Sequence, residues 1–95
     1  YQDRLGHFLR SLRRDLEWPE LPAFVSLNTQ FGGGSNPHVA QVIAAQKALD
    51  ADDPWTVYVD TSKAELANAV HWSSAGTLDV GRRFAQALLD WESMM

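Results

Sequence analysis

Two short apolar runs constrain this chain most. Residues 23–27 (AFVSL) and 55–59 (WTVYV) are too short for helices, and breakers bound both. Pro22 precedes the first, and the glycine-rich stretch 28–36 (NTQFGGGSN) follows it. Residues 50–54 (DADDP) precede the second. The length of AFVSL suits a buried strand, and WTVYV is rich in β-branched and aromatic side chains. Such runs read as strands covered on both faces, which is the habit of parallel sheets.

The segments around them carry helical spacing. Residues 1–17 place Leu5, Phe8, Leu9, Leu12 and Leu16 on one face, and Trp18-Pro19 stops the pattern. Arg10, Arg13 and Arg14, with Asp3, Asp15 and Glu17 around them, read as a solvated face. Asn36-Pro37 reads as the N-cap and first residue of a second helix, with Val39, Val42, Ile43, Gln46 and Leu49 along one side. Residues 61–70 read as a loop, with one helical turn around 64–67. Ser73 or Ser74 caps a third helix running to about Trp91, with Leu78, Ala85, Leu88 and Leu89 inward. Gly76 and Gly81 weaken that helix and permit close packing on the sheet. The order helix, strand, helix, strand, helix predicts an α/β fold with two parallel strands and a right-handed crossover. Two strands make a poor sheet, and an unpaired edge recruits another strand.

Composition narrows the function classes. The formal charge is −4, with Asp+Glu 12 against Lys+Arg 8, so no broad basic surface awaits a nucleic acid. There is no cysteine, which removes disulfides, thiolate catalysis and Cys-based zinc sites. No apolar run approaches the ~20 residues of a membrane span. His7, His38 and His71 lack metal-ligand spacing, and His7 and His38 read as surface residues. The triple glycine is followed by no Gly-Lys-Ser/Thr, so it is no phosphate loop. Neither a metal nor another cofactor is called for. The chain begins at Tyr1 rather than Met, and is read as part of something longer.

Ligands of parallel α/β sheets gather beyond the carboxyl ends of the strands. His71 follows the second strand and stands just ahead of a helix, so it falls in that region. A neutral imidazole there can take a proton from a hydroxyl nucleophile. The plainer reading is a histidine that only hydrogen-bonds its loop.

The stretch 68–89 (NAVHWSSAGTLDVGRRFAQALL) resembles the last block of the SGNH, or GDSL-type, hydrolases. The likeness is closest to the sialate O-acetylesterase-like and carbohydrate acetylesterase branch. His71, Trp72, Gly76, Gly81, Arg82 and Arg83 carry it. Upstream, Tyr1 with LRSLRRDL, then LPAFVSL, VIAAQ and VYVDTS resemble earlier blocks in the same order. The resemblance implies a partial flavodoxin-like three-layer sandwich, with residues 1–95 as the C-terminal portion of one domain. It implies acyl-ester hydrolysis by a Ser-His type mechanism, on acylated carbohydrate, with His71 as base. Nucleophile, oxyanion donors and central strands would come from a missing N-terminal part of the same domain, the isolated chain being inactive.

Three points qualify that inheritance. Gly33-Gly34-Ser35-Asn36 matches the family's nucleophile sequence by letter but occupies a late loop, so Ser35 reads as a loop residue. The family's acid, three residues before the histidine, is here Asn68. Asn68 can orient the imidazole but lends it no charge, and in serine proteases the loss of the acid costs about 10⁴ in turnover. Asp60 at the strand end, or Glu65, is the substitute; a Ser-His dyad is the other possibility. Trp72, beside His71, is the candidate substrate platform, whereas Trp18, Trp55 and Trp91 read as packing residues. The competing function is a non-catalytic esterase-like module that binds glycan or protein.

Overall fold

The computed structural model describes residues 1–28 and 36–95. Its elements are α1 (Gln2–Asp15), β1 (Ala23–Val25), α2 (Val39–Asp52), β2 (Thr56–Tyr58) and α3 (Ser74–Met94). The two strands pair in parallel, with Ala23, Phe24 and Val25 opposite Thr56, Val57 and Tyr58. The expected α/β order and the parallel pairing are both present. The Gly33-Gly34-Ser35 stretch lies outside the described residues.

Side chains separate the faces of the sheet. Thr56 and Tyr58 meet α1 and α2: the Arg13 guanidinium reaches Thr56 Oγ1, and Lys47 Nζ lies 5.5 Å from the centre of the Tyr58 ring. Phe24, paired with Val57, turns to α3, where Trp91 meets Phe24 and Trp55 edge-on at 6.3 and 6.1 Å. Helices therefore flank both faces, as the unbroken apolar strands require.

Several details differ from the sequence reading. The solvated arginine face is wrong for Arg13, which is 6% exposed. Its Nε donates to Leu21 O at 2.8 Å, Nη1 to Asp53 Oδ2 at 2.7 Å and Nη2 to Trp55 O at 2.8 Å. One planar fork thus ties α1, the linker, the end of α2 and the start of β2. Gly6, Leu9 and Arg13 form the covered face of α1, leaving Phe8, Leu12 and Leu16 exposed. Trp18-Pro19 is not what turns α1 off. Glu17 takes a left-handed φ of 53°, Glu17 N–H bonds Arg14 O, and Trp18 N–H bonds Arg13 O. That is a Schellman-type cap.

The second helix starts later than expected, with His38 at its N-cap rather than Asn36. Asn36 Oδ1 accepts the His38 N–H at 2.9 Å, a turn ahead of the helix. The segment 61–70 forms no helix; its turn is closed by Ala64 N–H on Thr61 O. The inward side of α3 is also not Leu78, Ala85, Leu88 and Leu89, all of which are exposed. Val80, Phe84, Ala87 and Trp91 are the better-covered residues, at steps of four, three and four that follow one helical face.

Candidate functional site

The sheet's carboxyl end is where the loops after the two strands meet. Val59 N–H bonds Val25 O at 2.8 Å, extending the ladder beyond β2. Buried Thr61 donates from Oγ1 to Leu27 O at 3.1 Å and lies 3.0 Å from Ser26 Oγ. Asn28 Nδ2 reaches Val70 O at 3.4 Å. The 68–72 segment is thereby tied to the carboxyl end of β1, and His71 stands at that end, exposed.

Backbone contacts hold the segment against α3. Ala67 N–H bonds His71 O at 2.9 Å, Leu66 and Trp72 form an antiparallel bridge, and Ser73 N–H bonds Glu65 O at 3.0 Å. Of the two candidate caps, Ser73 and Ser74, it is Ser73 whose Oγ caps α3 by accepting from Gly76 N–H at 3.0 Å. Gly76 is buried, and a Cβ there would collide with the Glu65 carbonyl. The close approach that this glycine permits is thus to the loop rather than to the sheet. Around Gly81 a Cβ would meet nothing within 4 Å.

Asn68 and His71 are brought together. Asn68 Oδ1 accepts the N–H groups of Val70 and His71, both at 2.9 Å, and lies 3.1 Å from His71 Nδ1. Two backbone donors can face only an oxygen, so the amide orientation is determined. In the neutral ring the nitrogen facing that oxygen carries the hydrogen, which leaves Nε2 with the lone pair. Asn68 thus selects the Nδ1–H tautomer of the neutral ring.

Asp60 is engaged elsewhere. Its Oδ1 accepts Ser62 N–H at 2.8 Å, and no hydrogen bond joins it to the His71 ring among the described residues. Hydrogen bonding from Ser62, with Arg83 and Lys47 nearby, holds the Asp60 carboxyl below its usual range against a smaller effect of burial. Glu65 serves through its backbone carbonyl. Trp72 is half-buried beside His71, whereas Trp18 is exposed. His7 and His38 are exposed too, and no group of three His, Asp or Glu residues could hold a metal among the described residues. No helix among them is long and apolar enough to cross a membrane.

Arg83 went unread as a positioning group. Its Nη1 donates to Asp60 O at 3.2 Å while Nε pairs with Asp79 at 3.0 Å, so α3 grips the end of β2. Only the Gly-Arg-Arg letters hinted at it. A cleft of about 710 Å³ opens instead at the amino end of the strands, between α1 and the end of α2. Its wall includes the Arg13–Asp53 pair, whose polar atoms are spent on each other and on strand backbone.

An α/β layer with a histidine and its orienting amide at the carboxyl end of the strands is an arrangement suited to hydrolases. The family model described as carbohydrate esterase, sialic acid-specific acetylesterase matches residues 1–90, and the chain belongs to that family. None of the curated proteins and none of the solved structures matches the chain.

Proposed function

We propose that residues 1–95 supply the histidine arm of an SGNH-type serine esterase that removes O-acetyl groups from carbohydrate. In this reading His71 Nε2 takes the proton of a serine hydroxyl contributed by polypeptide outside residues 1–95, as that serine attacks the ester carbonyl. The protonated ring then returns its proton to the departing sugar oxygen. Water hydrolyses the acyl-enzyme, with His71 again as base. Trp72 offers a half-apolar wall to the sugar.

The observation carrying this reading is the hydrogen bonding of Asn68 Oδ1, held by two backbone N–H groups and facing His71 Nδ1. A histidine serving only its loop has no need of a fixed tautomer with Nε2 exposed. Family membership supports carbohydrate esterase chemistry. The binding-module reading rests on Asn68 itself, since an amide contributes no charge to an imidazolium.

The test is p-nitrophenyl acetate hydrolysis by the native polypeptide containing residues 1–95, with and without His71→Ala. The expected result is loss of at least a thousandfold in kcat with the fold unchanged by circular dichroism. Equal rates would remove His71 as base and favour the binding module.

A further inference from the structure

We propose that the groove along the outer edge of β2 receives an arginine side chain of a partner protein. The proposal goes beyond the esterase reading and does not rest on it, since none of residues 60–73 lines this groove.

The groove, about 430 Å³, runs between the end of α2, β2 and the C-terminal half of α3. Trp55 and Val59 bond β1 through Ala23 N–H and Val25 O, so Thr56 and Tyr58 turn their backbone groups outward. Both outward N–H groups are already taken. Thr56 N–H bonds Asp53 O at 3.1 Å, and Tyr58 N–H bonds Asp50 Oδ2 at 2.7 Å. An added strand needs donors as well as acceptors, so this edge is closed to one. The Thr56 and Tyr58 C=O groups lie on the same side and have no donor among the described residues. The backbone here can accept hydrogen bonds but give none.

The charges are equally one-sided. Asp50, Asp53 and Asp90 line the groove, and no Lys, Arg or His does so among the described residues. Asp53 is spent on Arg13, Thr56 and the Trp55 N–H. Asp50 and Asp90 are exposed, and each uses one oxygen: Asp50 Oδ2 on Tyr58 N–H, and Asp90 Oδ1 on Gln86 Nε2 at 2.8 Å. Asp50 Oδ1 and Asp90 Oδ2 have no partner among the described residues. Two carboxylates on different helices thus give the groove a negative charge that nothing in its wall balances.

Between them the wall is apolar, formed by Val57, Ala87, Trp91 and Met94. Trp91 is fixed in advance: its Nε1–H donates to Pro54 O at 3.2 Å, and its ring meets Phe24 and Trp55 edge-on. An arginine matches each feature. Its guanidinium only donates, through a planar fork suited to carboxylates. Its stem lies along apolar surface, and aromatic rings attract its charge. A sugar is a poorer match, because its hydroxyls accept as readily as they donate and this wall is mostly acceptors. A second copy of the chain carries a formal charge of −4 and is repelled.

The test is NMR titration of the native polypeptide containing residues 1–95 with the end-blocked peptide Gly-Gly-Arg-Gly-Gly. Saturable shifts are expected at the Trp91 indole N–H and at the Tyr58 and Asp90 amides. Asp50→Asn and Asp90→Asn keep an oxygen for Tyr58 and Gln86, so the fold should hold by circular dichroism. Each should weaken binding about two- to fivefold, as befits an exposed ion pair, and the double variant about tenfold. The same peptide with citrulline for arginine keeps the shape, loses the charge and should shift nothing. Equal binding of the citrulline peptide, unchanged binding in the double variant, or no saturable shift at Trp91 overturns the proposal. So does xylotetraose shifting the same signals, which marks a sugar site. Shifts on raising protein concentration alone mark a second copy, and Overhauser contacts from Trp91 to a residue outside residues 1–95 mark the rest of the polypeptide; either overturns it too. An inactive protein that binds the peptide sinks the esterase reading alone, and an active one that ignores it sinks this one alone.

Discussion

Gly76 and Gly81 sit in one helix five residues apart, and the same substitution should move stability in opposite directions at the two. At Gly81, an alanine Cβ meets nothing within 4 Å. Gly81→Ala therefore gains the helix-propensity difference, about 1 kcal/mol. At Gly76 the Cβ falls on the Glu65 carbonyl, which is backbone and cannot swing aside as a side-chain tip can. That carbonyl also accepts from Ser73 N–H and Ser73 Oγ at 3.0 and 3.3 Å. Moving it costs ~1–3 kcal/mol of overpacking and about 1 kcal/mol for each hydrogen bond weakened. Less the propensity gain, Gly76→Ala destabilises by about 2–4 kcal/mol. Urea unfolding of the native polypeptide and both variants measures it, with equal m-values required for the comparison. The His71 loop hangs on the same carbonyl, so turnover should fall with Gly76→Ala and hold with Gly81→Ala. If Gly76→Ala stabilises as Gly81→Ala does, the packing of α3 on Glu65 is not as described.

Two further outcomes follow from the hydrogen bonding. Asn68→Asp keeps an oxygen facing His71 Nδ1 and adds a charge beside the developing imidazolium, so kcat is expected to rise about 5–30-fold, the ~1–2 kcal/mol by which a charge-assisted hydrogen bond exceeds a neutral one; an unchanged kcat in the pH-independent region argues against His71 as the base. For Asp53, burial opposes ionisation, but the Thr56 hydroxyl, the Trp55 N–H and the Arg13 guanidinium outweigh it and hold its carboxyl below 3.8. Its contribution to stability is therefore full above pH 3.8 and is lost as pH falls through the lower folded value. Asp53→Asn should cost about 1–3 kcal/mol at pH 7, because Arg13 stays buried without a counter-charge, and this difference should shrink below pH 3.8 in acid-unfolding titrations; a pH-independent difference would contradict the pairing.

Much of the architecture was legible because it rests on local rules. Uninterrupted apolar runs signalled strands buried on both faces, and Ser73 signalled a helix start three residues before a backbone N–H it could accept. The Arg13 error shows where such rules stop. A charged residue beside other charges reads as solvated, yet Arg13 is drawn inward by acceptors eight to forty-three residues away, which no window of local sequence displays. The inward face of α3 was misassigned because leucines were weighted by hydropathy. Trp91, Phe24 and Trp55, joined only in the fold, decide the orientation of its C-terminal half. Asn36 satisfied the composition of an N-cap, and a proline after it satisfied the first turn, but its oxygen closes a turn two residues ahead of that cap, on the N–H of His38, which is the N-cap itself. At the site, His71 was singled out by its place after the second strand and Asn68 by the family resemblance, and the fold sets the two side chains 3.1 Å apart. Asp60 was named because it ends a strand, and its carboxylate is occupied by Ser62 two residues on.

The two ends of the sheet are built from different materials, and the difference bears on Asn68. The amino end is fastened by a charged fork, Arg13 on Asp53, with backbone carbonyls taking the remaining donors. The carboxyl end is fastened mainly by backbone groups and small polar side chains (Thr61 on Leu27, Ala67 on His71, Ser73 on Glu65), with the Arg83 guanidinium on the Asp60 carbonyl as its charged contact. Asn68 belongs to the second kind. An aspartate there would also accept the Val70 and His71 N–H groups, so the loop does not require the amide. What the amide changes is the histidine. A carboxylate orients the ring and stabilises its protonated form, whereas Asn68 orients it alone. In serine proteases an acid-to-amide exchange is damaging partly because the amide can present its nitrogen and select the wrong tautomer. Here the two backbone N–H groups remove that freedom, so only the electrostatic share of the loss remains. On the proposed function, a site arranged in this way retains its geometry with a weaker base, and a slower esterase rather than a dismantled one is expected.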